Sequence, residues 1–120
     1  MESDKIFHDW LVIHLKTRLA KDYTEIAVNL DGERQHALEG HYPNLILKHL
    51  GMVMAVVEVE TEGSITPDKV KQWKGLLQAG TRLIVMVPER AKAKVTSLLW
   101  DTGIASDVSV GSYDIKINMP

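Results

Sequence analysis

Residues 52–61 read Met52-Val53-Met54-Ala55-Val56-Val57-Glu58-Val59-Glu60-Thr61, and the fold turns on them. The run is rich in β-branched side chains, which suit a pleated, buried surface, so it predicts a strand. A period of two places Met54, Val56, Glu58 and Glu60 on one face and Ala55, Val57 and Val59 on the other. The two acids at its end therefore share a side, about 6.5 Å apart along the strand. Burying both would raise at least one pKa unless a cation offsets their repulsion, and a divalent metal is the simplest such cation. The plainer alternative is that the strand leaves the core at Val57 and both acids point into water at a sheet edge.

Working backward, Asn44 to Leu47 is a short apolar run, and Lys48 to Gly51 reads as the turn of a hairpin leading into the long strand. A turn centred on Leu50-Gly51 sets Asn44 opposite Val57 or Glu58 in an antiparallel register. A third oxygen then converges on the two acids. Three oxygen donors on adjacent strands suit Mg²⁺ or Mn²⁺.

Further back, Asp4 to Asp22 predicts the first helix, with Phe7, Trp10, Leu11 and Leu15 drawing its apolar stripe. Glu25 to Leu30 predicts a strand closed by the turn dipeptide Asp31-Gly32, and residues 33–41 read as loop. Forward of the strand, Thr66-Pro67-Asp68 supplies an N-cap, a first-turn proline and an acid for a helix that Gly80 closes. Val70, Trp73 and Leu77 point inward on that helix. Leu83 to Val87 is an aliphatic run of the kind found in a strand buried on both faces. Ala91 to Asp101 predicts a further helix, with Val95, Leu98 and Leu99 inward and Gly103 as its stop, and Val108 to Ile117 predicts one or two edge strands. The order is α-β-β-β-α-β-α-β in a single domain over residues 1–120, in the α/β class with an α+β-like mixed sheet.

Apolar residues make up 45% of the 120 and charged residues 25%, which excludes disordered and collagen-like chains. The acidic amino terminus does not read as a signal peptide, and Leu50 to Val57 is far too short to span a bilayer, so no membrane partner and a cytoplasmic location are expected. The absence of cysteine excludes disulfides, thiolate catalysis and cysteine-ligated zinc. Net charge is −2. Residues 1–62 carry six Lys/Arg against eleven Asp/Glu and residues 63–120 eight against five, so nucleic acid, if bound, should meet the second half.

The segments Tyr42-Pro43-Asn44-Leu45-Ile46 and Val56-Val57-Glu58-Val59-Glu60-Thr61 resemble the motif of the PD-(D/E)xK superfamily of restriction-endonuclease-like nucleases. The resemblance implies a restriction-endonuclease-like core, α-β-β-β-α-β, followed by a helix and edge strand or strands. It also implies hydrolysis of DNA phosphodiester bonds with Mg²⁺ or Mn²⁺ held at Asn44, Glu58 and Glu60, and a homodimer. Two positions depart from the family pattern. Asn44 stands where the family has aspartate, and an amide oxygen brings no charge to the cation. Glu60 stands where lysine is usual, as in some restriction enzymes. The resemblance further implies that a glutamine or a relocated lysine on the following helix completes the site, which singles out Gln72 and Lys74 beside Glu58 and Glu60.

On that helix Lys71 and Lys74 lie on one flank and Lys69 and Gln72 on the other, and Lys69 and Lys71 are candidates for contacting phosphates. His41, just ahead of the Tyr-Pro-Asn segment, is a third. The five histidines lack the spacing of a helical zinc site, and His14 reads as a core or near-site residue within the first stripe. The alternative to an active nuclease is a nuclease-like domain without catalysis that binds nucleic acid or another protein.

Overall fold

The computed structural model describes residues 2–115, with side chains from residue 4 onward. Its elements are α1 (Glu2–Leu19), β1 (Glu25–Val28), β2 (Leu45–His49), β3 (Met52–Val59), α2 (Pro67–Leu77), β4 (Arg82–Pro88), α3 (Lys92–Thr102) and β5 (Val108–Tyr113). Short 3₁₀ turns, Glu62–Ser64 and Glu89–Ala91, precede α2 and α3. The result is an α+β fold with three helices and one five-stranded mixed sheet ordered β1-β2-β3-β4-β5. β1 to β3 form an antiparallel meander; β4 and β5 run parallel to β3, each reached through a helix.

The hairpin turns on Leu50 and Gly51, both at positive φ (51° and 83°), the conformation that a two-residue connection between twisted strands demands. Leu45 then faces Val57, which sets Asn44 across from Glu58, the nearer of the two expected registers. An irregularity between Leu47 and Lys48 bends β2 after its buried half.

One face of the sheet is sealed by α2 and α3. Val70, Trp73 and Leu76 from α2 and Val95 and Leu99 from α3 pack on Ile46, Val56, Leu83, Val85 and Val87. The expected inward positions shift slightly, since Leu76 is buried while Leu77 and Leu98 are only partly so. α2 starts as read: Thr66 caps it through a hydrogen bond from Lys69 N (3.2 Å) with Pro67 in its first turn. The other face is covered by α1, whose Leu11 and Val12 pack with Leu45, Leu47, Ala55, Val57 and Val59.

Three expectations change. On α1 the buried arc runs through Leu11, Val12, Leu15 and Leu19, whereas Phe7 and Trp10 lie on its exposed flank, Trp10 at 52%. His14 is exposed and stacks on Trp10 (centroids 5.2 Å apart) outside any core. β1 ends at Val28 because Asn29, fully buried, bonds out of the strand: its Oδ1 accepts from Gln35 N and His36 N, and its Nδ2 donates to His36 O and Pro43 O. This one amide folds the loop after β1 onto the start of β2. β5 is a single strand within the described residues, and residues 116–117 of the expected run lie outside them. Among the described residues no helix is long and apolar enough to cross a membrane.

Candidate functional site

Strand β3 delivers Val56 to the α2–α3 core, so alternation carries Glu58 and Glu60 to that same side. Glu60 follows the last strand residue, yet its N–H still bonds Met86 O (2.9 Å), and Tyr113 Oη donates to its carbonyl (2.7 Å). The backbone at Glu60 is thus tied to both β4 and β5. Its carboxylate is 1% exposed and well partnered: Ser64 Oγ donates to Oε2 (2.6 Å), Trp73 Nε1 reaches Oε1 (3.4 Å), and Lys69 Nζ stands 3.8 Å from Oε1. Local folding explains these partners. The 3₁₀ turn after Thr61 folds Ser64 back against the strand end, and the Thr66 cap starts α2 so that Lys69, in its first turn, faces the acid.

Glu58 is partly buried and accepts one long bond, from Asn44 N (3.4 Å). Burial first, and the Glu60 charge second, push its carboxyl up to about 7, against the opposing pull of Lys69 and the Asn44 N–H. Burial raises Glu60 as well, opposed by Lys69, Ser64, Trp73 and His8. The main chain of Asn44 therefore meets Glu58, and Glu60 is close enough for its charge to raise the Glu58 carboxyl, but the Asn44 side-chain oxygen is directed elsewhere. Asn44 and Glu60 are buried and Glu58 partly so, rather than both acids pointing into water at a sheet edge.

Asn44 is less available than its position suggests. Its Oδ1 accepts from Val59 N (2.9 Å) and lies 3.3 Å from His8 Nε2, while its Nδ2 donates to Asn29 O (2.9 Å). Those bonds fix the amide orientation and cover both lone pairs of the carbonyl oxygen. His8 in turn has Nδ1 3.0 Å from Asp9 Oδ1. Asp9 is pushed up by partial burial, but bonds from Lys5, Asp31 N and His8 outweigh this and hold it below the usual range.

Of the remaining sequence candidates, Lys69 reaches the acid pair, while Lys71, Gln72 and Lys74 are exposed on α2 and make no hydrogen bond or ion pair to the carboxylates among the described residues. His41 packs against Gly75, where a Cβ would lie 3.0 Å from its ring, one element away from the acids. His8, Ser64, Trp73 and Tyr113 are site residues that the sequence did not single out. His8 had a signal, because it lies one turn before Leu11 and Val12 on the buried arc.

A cavity of about 260 Å³ opens beside Glu60, lined by Lys5, His8, Asp31, Glu60, Ser64 and Lys69 among others. A larger one of about 730 Å³ adjoins it beyond Thr61 and Gly63 and is walled by Phe7, Arg90 and Tyr113. The smaller holds the chemistry, since it contains Glu60, Lys69 and His8. Among the described residues no three His, Cys, Asp or Glu side chains gather as a ready metal site. No protein-family model, curated protein or solved structure matches the chain.

Proposed function

We propose that this chain is a restriction-endonuclease-like domain that hydrolyses phosphodiester bonds of DNA, with Glu58 and Glu60 holding Mg²⁺ or Mn²⁺. The observation that carries the reading is the acid pair at the end of β3, Glu60 buried and Glu58 partly so, with Glu60 lining an open polar cavity and Lys69 as the one cation within 4 Å of either carboxylate among the described residues. The element order α-β-β-β-α-β, with Asn44 and Glu58 across one hairpin, supports the same fold assignment. A cytoplasmic setting belongs to this reading.

The donor set fits a hard cation in two of its three expected members. Glu58 accepts only one long bond, from Asn44 N, and its carboxyl is pushed up to about 7, so an added positive charge is electrostatically favoured there. Glu60 is compatible, although Ser64 and Trp73 already donate to it. The Asn44 oxygen does not fit, because Val59 N–H and His8 take its lone pairs. When bound, the cation would polarise the phosphate and lower the pKa of an attacking water. The chain's own residues supply the rest: Lys69 offers its ammonium to a phosphate oxygen, Ser64 fixes the Glu60 carboxylate, and His8 brings a second polar edge into the cavity.

Calorimetric titration with Mn²⁺ tests the assignment: binding to wild type and its loss in Glu58→Ala are expected, followed by loss of DNA cleavage in the same variant. A Glu58→Ala variant that binds Mn²⁺ as wild type does would sink it. The Asn44 amide, held by the main chain of Asn29 and Val59, favours a second reading in which the domain binds nucleic acid or a protein without catalysis. That reading expects salt-sensitive binding indifferent to metal.

A further inference from the structure

Phe7 and His8 are neighbours on α1, yet they line different spaces. His8 lines the smaller cavity with Lys5 and Lys69, whereas Phe7 lines the larger one with Tyr113. The two spaces share Asp4, Thr61 and Gly63, and a Cβ added at Gly63 would touch nothing within 4 Å, so the divide between them is low. Tyr113 spans it. Its Oη donates to the Glu60 carbonyl (2.7 Å) while the residue walls the larger cavity, which sets that cavity one ring's length from the acid end of the strand. One elongated molecule can therefore occupy both.

The chambers differ in chemistry. The smaller offers the ammonium groups of Lys5 and Lys69 to a phosphate. In the larger, the one Lys or Arg among the described lining residues is Arg90, and Glu62 grips it through Nη2 (2.8 Å) and Nε (2.9 Å), with Glu89 and Asp114 also in the lining. A phosphate is repelled there. What the larger chamber offers instead is aromatic surface. The Phe7 and Tyr113 rings stand 6.1 Å apart at 60°, a corner in which a flat ring lies on one face and meets the edge of the other. Carboxylates beside such a corner accept from ring N–H and exocyclic amino groups. At about 730 Å³ it has room for a nucleobase with its sugar.

We propose that the larger cavity receives one unpaired nucleobase of the strand whose phosphate lies in the smaller, which makes the substrate class DNA with unpaired bases, a single strand or a frayed end. The inference rests on the phosphodiesterase reading and adds to it the part of the substrate that the acid pair does not touch. A base within a duplex has its faces stacked and its edges paired, so it reaches such a corner only after costly unstacking. An unpaired base brings both free, and every base has a face that can stack on an aromatic ring. Lys69 and Phe7 then hold the two ends of one nucleotide, phosphate and base, on either side of the divide at Thr61 and Gly63.

Fluorescence anisotropy with a short labelled DNA strand is the test, run on the full chain with Ca²⁺ in place of Mg²⁺ so that the strand stays whole, and again in EDTA. The single strand should bind at least about tenfold more tightly than the same sequence in a blunt duplex. Replacing its nucleotides by abasic ones should weaken binding to wild type roughly 10–100-fold, the worth of a stacked base. Phe7→Ala, with an unchanged circular dichroism spectrum, should weaken the normal strand by a similar factor and the abasic strand hardly at all, and Phe7→Trp should restore binding. Equal binding of strand and duplex overturns the proposal, as does an abasic strand held as tightly as the normal one, or no strand bound in either buffer. A Phe7→Ala variant that loses both strands equally overturns it too. The two readings fail separately: base-dependent binding with no cleavage in Mn²⁺ removes the phosphodiesterase, whereas base-independent binding removes the nucleobase site even where the strand is cut.

Discussion

On the α2–α3 side the sheet is closed by Trp73, Leu76, Val95 and Leu99, each at most 2% exposed, whereas on the α1 side closure stops at β3 and leaves Ile84 and Met86 partly open. The acid pair sits at the border of the closed side. That placement matters, because a carboxyl is raised by an apolar, water-poor surround and Trp73 is both part of that surround and a donor to Glu60. The closed face therefore tunes charge, and the open face leaves part of β4 uncovered.

The largest expected effect breaks the closed side. Trp73→Ala removes the largest fully buried side chain and the indole donor to Glu60, and should cost about 3–5 kcal/mol in urea unfolding. Leu11→Ala on the α1 side should cost less, about 2–3 kcal/mol, because a half-covered layer can collapse around the lost volume. Comparable losses from the two would erase the contrast between the faces.

The next effect is on pH dependence. The Glu58 carboxyl stands near 7 in the fold and near 4.5 unfolded, so between those values the folded state holds a proton that the unfolded state has lost. Stability should therefore fall as pH rises from about 4.5 to about 7, on the order of 2 kcal/mol after discounting for partial exposure. Glu58→Gln should flatten that slope, read from thermal midpoints across the window; an unchanged slope would place the titration elsewhere. Smallest of all, Trp10→Ala at a half-exposed position should stay within about 0.5 kcal/mol of wild type in urea unfolding.

Much of the fold is legible because its signals are local. β3 and β4 are long aliphatic runs, α2 carries its own cap, and the positive-φ turn at Leu50-Gly51 sits where the hairpin needs it. The meeting of Asn44 with Glu58 follows from that register alone. What the sequence hides depends on rotation and on distant partners. Two large aromatic side chains, Phe7 and Trp10, pull the expected stripe of α1 away from its true arc and so conceal His8. Lys69 rather than Lys74 meets Glu60 because of where the cap starts the helix relative to the strand end, a relation between two elements. Asn29 reads as a turn residue beside Asp31-Gly32, and nothing near it announces that its amide would bond three separate residues of the following loop.

The contact between Trp73 and Glu60 gives this protein an optical gauge of its own. Of three tryptophans, Trp10 and Trp100 stand largely in water, at 52% and 70% exposure, while Trp73 is fully enclosed with its indole N–H aimed at the carboxylate. The blue-shifted part of the emission therefore belongs to Trp73, and the charge on Glu60 acts directly on that chromophore. Any ion or proton that arrives at the acid pair should announce itself as a change in the colour and yield of this one residue, with no label attached.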